Sequence, residues 1–208
     1  MARILITAGG THEPIDPVRY LGNRSSGAMG AALAEAAVVA GHAVSLLLGH
    51  VSVAFPAVPP ERIEHAGTAA EMQAALKRLW PGHDVLVMAA AVADYRPAEP
   101  SRTKLPRTGE LTLKLVANPD LVAEAAAGKR ADQHIVAFSL EQTVADAARA
   151  VDKMRKKRVD LMVFNTVCAL GVGVTDATLL WPDGRSLPLG QATKRDTAAR
   201  IIDEVARL

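Results

Sequence analysis

Short apolar runs, RILITAG from Arg3, AVSLLLG from Ala43 and DVLVMAAAVA from Asp84, alternate with helical periodicity over residues 28–40 and 69–79. Aliphatic runs of this length bounded by glycine suit strands buried on both faces. The spacing therefore predicts a βαβαβ unit. It extends to an α/β, doubly wound, Rossmann-like parallel sheet with helices on both faces. Ligands of such sheets bind beyond the carboxyl ends of the strands, which directs attention to the loops after Ala8, Gly49 and Ala91.

From Tyr95 to Gly109 the text changes to YRPAEPSRTKLPRTG, rich in Pro, Arg and Thr and without periodicity. This reads as an exposed excursion from the core, either a functional flap or a plain surface loop. ELTLKLV then alternates as a half-buried strand continuing the sheet. NPDLVAEAAAG reads as a helix with Asn118 and Pro119 in cap and first-turn positions, and HIVAFSL as a buried strand. A helix over residues 143–157, a strand DLMVFN, a hairpin turning at Asp183-Gly184 in ATLLWPDGRSLPL and a final amphipathic helix over residues 192–208 complete the reading. No linker, repeat or low-complexity tract divides the chain, so residues 1–208 are expected to form a single domain.

Composition sharpens this. Of 208 residues 50% are apolar but only 3% aromatic, so the core must be built from Ala, Val, Leu and Ile, as in a sheet covered by helices. A formal charge of +2, with no basic block interleaved with aromatics, argues against nucleic acid as a partner. The basic stretch from Lys153 to Arg158 ends a helix, where cations complement the dipole. The single cysteine, Cys168, excludes an internal disulfide framework and reads as a small core residue beside a strand end. Six histidines show no ligand spacing, and no apolar run reaches the roughly 20 residues that span a bilayer. No membrane association is expected, and the chain reads as cytoplasmic.

The candidate chemistry gathers at the start. Gly9 and Gly10 follow the first strand and let backbone approach a phosphate closely. About a dozen residues then intervene before SSGAMG, so neither G-x-G-x-x-G nor a P-loop is present. Ser25, Ser26 and Gly27 stand at the helix start, where hydroxyls and free amides hold either the cap or a phosphate oxygen.

Taken together, ITAGGTHEPIDPVRYLGNRSSGAMG, AAAVADYRP, a lysine-bearing loop, ELTLKLVANPD, VAFSLE and DLMVFN resemble, in order and spacing, the phosphopantothenoylcysteine synthetases of coenzyme A biosynthesis. The resemblance implies a ligase that joins 4'-phosphopantothenate and cysteine. A nucleotide, CTP more than ATP, activates the carboxylate with Mg2+ as an acyl-nucleotide, releasing pyrophosphate, and the cysteine amine then forms the amide. It also implies a homodimer and a nucleotide site made of Gly9, Gly10, Thr11, Ser25, Ser26, Gly27, Ala91, Asp94 and Phe138, with Asp94 as the metal ligand. Asn23 and Arg19 align with residues handling the acyl group. Lys104 aligns with a lysine that closes over the nucleotide, with Arg102 and Arg107 as alternatives. In many bacteria this synthetase is half of a bifunctional protein with an FMN-dependent decarboxylase. No counterpart of that half is present, so a stand-alone synthetase or an excised domain is expected. No flavin is expected in this chain, and a separate decarboxylase flavoprotein is a possible partner.

Departures from the family pattern are local. RTKLPR stands for K-x-K-K, FSLEQ for F-A-A-E-T, FNT for A-N-D, and Ala28 for the lysine of S-S-G-K-M-G. The rival readings are an NAD(P)-binding reductase and a non-catalytic nucleotide-binding module. The reductase requires a compact glycine fingerprint and an acid after the second strand, where this chain has LLLGHVSV.

Overall fold

In the computed structural model the described residues are 1–107, 109–141, 147–166 and 174–208. The core is one eight-stranded sheet. Its parallel strands are β1 (Arg3–Ala8), β4 (Ala43–Leu48), β5 (Ile63–His65), β6 (Val85–Met88), β9 (His134–Glu141) and β10 (Leu161–Thr166). An antiparallel hairpin, β11 (Val174–Leu180) and β12 (Ser186–Thr193), extends one edge. The spatial order is β12-β11-β10-β9-β6-β1-β4-β5. The order reverses between β1 and β6. That reversal opens a crevice at the carboxyl ends of these two strands.

Helices α1 (Ala28–Val39) and α5 (Lys194–Val205) cover one face, and α2 (Ala69–Leu79), α3 (Leu121–Ala127) and α4 (Ala147–Lys156) the other. Ile4, Ile6 and Ala8 of β1 point to the first face with Leu33 and Ile201, while Leu5 points to the second with Met72 and Leu76. The continuous apolar text of the strands follows from this two-sided burial. α1 approaches β1 so closely that a Cβ on Gly30 would stand 2.3 Å from the Cβ of Ala8. Only glycine permits that contact.

Several expectations are revised. ELTLKLV does not continue the main sheet: residues 111–114 are exposed, and only β8 (Leu115–Ala117) is a strand, paired antiparallel with β7 (Tyr95–Pro97) in a separate ribbon. The excursion therefore begins after Pro97. The cap of α3 is Asp120, whose side chain accepts from Ala123 N, and not Asn118. α5 starts later than expected because residues 192 and 193 finish β12, and Thr193 then caps the helix. The polar segment after Gly10, which carries no strand signal beside its two prolines, forms a second ribbon of β2 (His12–Asp16) and β3 (Arg19–Gly22). Cys168 and Thr143 lie outside the described residues. No described helix is long and apolar enough to cross a membrane.

Candidate functional site

The sheet's reversal point sets the site. Gly9 sits in the left-handed region at φ +81°, and a Cβ there would lie 2.5 Å from the carbonyl oxygen of His50. Gly10 N donates to His50 O at 3.0 Å, His50 N to Gly10 O at 2.8 Å, Ala91 N to Gly9 O at 2.7 Å and Thr11 N to Ala91 O at 3.3 Å. The glycine pair thus lets three strand-end loops converge. In doing so it commits the Gly10 and Thr11 amides to neighbouring carbonyls instead of leaving them open to a ligand.

Two buried threonines fasten the loop after β6 to β1. Thr7 Oγ1 accepts from Ala90 N at 3.1 Å, and Thr11 Oγ1 from Ala93 N at 2.9 Å. Asn118 adds a further hold, accepting Arg96 Nη1 at 2.9 Å, donating Nδ2 to Ala93 O at 2.7 Å and its own amide to Asp94 O at 2.8 Å. Asp94 is thereby fixed by its backbone. Its exposed carboxylate makes no hydrogen bond or ion pair to a described residue.

The β2–β3 ribbon returns to this rim at Asn23. The Asn23 carbonyl lies against Gly10, and Asn23 Nδ2 donates to Val92 O at 3.0 Å. That uses one of the two amide hydrogens and leaves the other for a ligand. Beyond it, Ser25 Oγ accepts from Gly27 N at 3.4 Å and Ser26 Oγ from Ala28 N at 3.3 Å, with Gly27 as a left-handed N-cap whose side has no capping hydrogen bond. Gly27 packs beside Gly9. Phe138, on β9, is partly buried against the face that α1 and α5 cover.

Arg19 and Lys104 stand elsewhere. At the turn of the ribbon, Arg19 pairs with the fully buried carboxylate of Asp16 at 2.6 Å and donates Nη2 to Leu105 O at 2.6 Å. Burial raises the Asp16 carboxyl, but the amides of Val18 and Leu105 and the Arg19 guanidinium outweigh it and hold its pKa at about 2. Lys104, next to Leu105, is exposed and unpaired among the described residues. The structure therefore brings Gly9, Gly10, Thr11, Asn23, Ser25, Ser26, Gly27, Ala91 and Asp94 together, and holds Arg19 and Lys104 apart from them.

Sequence reasoning missed the rings at the base of this ribbon. His12 stacks between Tyr20, at 3.6 Å and 11°, and His50, at 3.7 Å and 9°. Burial, and then the charge of His50, lowers the His12 pKa, with Glu13 opposing. Buried Glu13 in turn accepts from Ala69 N at 2.9 Å, so the ribbon is tied to the start of α2. HEPID, with Pro14 at its centre, shows no period-two alternation, so the sequence carries no signal for the pairing strand that holds these rings.

Asp94 fits Mg2+ of the kind a nucleotide carries, since that ion takes one or two carboxylates and completes its shell with water and phosphate. A closed protein cage is not offered: among the described residues no group of three or more His, Cys, Asp or Glu converges.

The chain is similar along its length to known proteins of one kind. A family model described as the DNA/pantothenate metabolism flavoprotein C-terminal domain matches residues 1–208. The coenzyme A biosynthesis bifunctional protein CoaBC of Vibrio vulnificus (strain YJ016) is 40% identical over 213 residues, 99% of this chain and 52% of that protein. Its counterpart in Mycobacterium bovis (strain ATCC BAA-935 / AF2122/97) is 39% identical over 220 residues, 98% of this chain and 51% of that protein. The crystal structure of the C-terminal domain of CoaBC shares 32% identity at a TM-score of 0.80, covering 98% of this chain and 93% of that one. The chain spans about half the length of the curated relatives it matches. A doubly wound sheet with its reversal at β1 and β6, matched over its whole length, places this chain in the DNA/pantothenate metabolism flavoprotein C-terminal domain family.

Proposed function

We propose that the chain joins 4'-phosphopantothenate to cysteine in coenzyme A biosynthesis, with CTP, in preference to ATP, as the activating nucleotide. The observation that carries this reading is the convergence of Gly9–Thr11, Asn23–Gly27 and Ala91–Asp94 on one strand rim, in a chain similar over 98% of its length to the C-terminal domain of CoaBC.

In the first step a carboxylate oxygen of phosphopantothenate bonds to the α-phosphorus and the bond to pyrophosphate breaks. Two anions meet there, so preorganised positive charge lowers the barrier. The loop beside Gly9, the start of α1 with Ser25, Ser26 and Gly27, and Phe138 form the nucleotide side. Asp94 would hold Mg2+, which would supply positive charge to the phosphates when bound. In the second step the cysteine amine bonds to the acyl carbon, the bond to the nucleoside monophosphate breaks, and the amine proton is released. Negative charge grows on the carbonyl oxygen, where the remaining Asn23 amide hydrogen is the neutral donor.

Lys104 supplies a cation to the nucleotide across a homodimer. Its neighbour Leu105 is held at the turn of the β2–β3 ribbon, four residues of strand from His12, or about 13 Å at roughly 3.3 Å per residue. On the two ribbons and the excursion Val18, Tyr20, Tyr95, Leu111, Leu113 and Leu115 are exposed apolar residues of the kind a subunit interface covers. The decarboxylation that follows belongs to a flavoprotein partner, whether joined to this chain or separate from it. Pyrophosphate release with Mg2+, phosphopantothenate, cysteine and either CTP or ATP tests the proposal. Release is expected to require phosphopantothenate and to be faster with CTP; release with nucleotide alone, or none with either nucleotide, contradicts it.

A further inference from the structure

The excursion is not free along its length. Ser101 N donates to Ile15 O at 2.9 Å, and four residues later both backbone groups of Leu105 are held: its amide by Asp16 Oδ2 at 3.1 Å and its carbonyl by Arg19 Nη2 at 2.6 Å. Within this short span Ser101 Oγ donates to Thr103 O at 2.7 Å and accepts from Thr103 N at 3.3 Å. Lys104 hangs between the two anchors.

Asp16 is the hub of this arrangement. Its Oδ1 accepts from Val18 N at 2.9 Å and Arg19 N at 2.8 Å, and its Oδ2 from Arg19 Nε at 2.9 Å as well as from Leu105. The carboxylate is fully buried, so every one of these acceptances replaces water it has lost. One planar guanidinium, held edge-on by that carboxylate, then presents a remaining N–H to the Leu105 carbonyl, a geometry that the fork of arginine provides and lysine does not.

We infer that Asp16 and Arg19 act together as positioning residues: they clasp Leu105 by both backbone groups and so set where the neighbouring Lys104 stands. Arg19 serves here through the excursion and not by contact with the reacting acyl group. The inference rests on the proposed role of Lys104 only for its catalytic consequence. The clasp itself is tested without activity.

Trypsin reports on it directly, because cutting the Lys104–Leu105 bond requires an extended strand in the protease and therefore release of Leu105. Cleavage of a transiently opened segment tracks the population of the open form. Asp16→Asn places an amide where a carboxylate accepts, and is expected to speed cleavage at Lys104–Leu105 by at least about tenfold, while cleavage outside the excursion stays near the unaltered rate. Arg19→Lys keeps Asp16 and its bonds to the ribbon backbone but loses the fork, and is expected to give an intermediate rate. In the ligase assay each variant should lower kcat, and Asp16→Asn in a Lys104→Ala background should cause no further loss. Equal cleavage of the Lys104–Leu105 bond in the unaltered protein and in Arg19→Lys overturns the clasp. Faster cleavage with a full additional loss in the Lys104→Ala background keeps the clasp and overturns its link to Lys104. Should the unaltered protein show no ligase activity, the protease result still decides the clasp alone.

Discussion

Gly30→Ala sets two effects of opposite sign against each other. In an exposed helix interior the exchange gains about 1 kcal/mol of helix propensity. Here the new methyl would sit 2.3 Å from the Cβ of Ala8 and 3.3 Å from its Cα. Carbon pairs rest at about 3.5–4.0 Å, so α1 must retreat from β1 by more than about 1 Å. Both residues are buried and Ala8 belongs to a central strand, which leaves little room to yield. Overpacking of this kind costs about 1–3 kcal/mol, and the position of the clash puts it at the upper end. The net expectation is a loss of about 2 kcal/mol, or a fall in Tm of about 4–8 °C for a chain of this size. Differential scanning calorimetry measures it, with Gly128→Ala as a control, since a Cβ at Gly128 meets nothing within 4 Å. Because the same retreat carries Ser26 and Gly27 away from Gly9, ligase activity should fall by about 100-fold at a temperature where the variant is folded. A Gly30→Ala protein as stable as the parent refutes the packing argument, and one that is destabilised but fully active refutes the placement of the site beside α1.

Acid should weaken the fold through two carboxylates with pKa values lowered to about 2, Asp16 and Asp84, the latter held chiefly by the hydrogen bond from Arg3. A folded pKa below the unfolded one, which is about 3.9, means that the unfolded chain binds more protons, so this stability is present above about pH 4 and lost as pH falls toward 2. Urea midpoints between pH 5 and 2 should show the loss, and Asp16→Asn should flatten it; a midpoint independent of pH in that range contradicts the assignment. Thr68→Ala removes a capping box in which Thr68 Oγ1 accepts from Glu71 N at 3.2 Å and Glu71 reaches back to Thr68 N at 3.1 Å. It should cost about 1 kcal/mol by thermal unfolding, and no change would show that Glu13 and Glu71 hold the start of α2 without the Thr68 hydroxyl. Asn23→Ala should slow amide formation by about 100-fold while leaving pyrophosphate release from phosphopantothenate nearly intact in a single turnover. Equal loss in both steps would place Asn23 in the first.

The parallel core was legible because its strands are buried on both faces: RILITAG, AVSLLLG and DVLVMAAAVA advertise that environment by aliphatic content alone. β5 was not, since at three residues on a sheet edge it carries too short a pattern. ELTLKLV misled for a physical reason. Its alternation is real, but residues 111–114 alternate on a solvent-exposed excursion and never meet the main sheet. The rim glycines and Asp94 were readable because they follow strand ends and the serines because they open a helix, whereas Asn23, beside a ribbon the sequence does not announce, was legible only through the family resemblance. Asp16 was not, because a buried carboxylate that grips a backbone 89 positions away leaves no periodic trace, and the His12 stack depends on two loops that only the fold brings into register.

The most direct measurement is the crystal structure of this chain grown with CTP and Mg2+. The account predicts the triphosphate at the carboxyl ends of β1 and β6, between the Gly9 loop and the start of α1, with Asp94 facing the metal. A triphosphate bound anywhere else on the molecule, with that rim open to solvent, would contradict it.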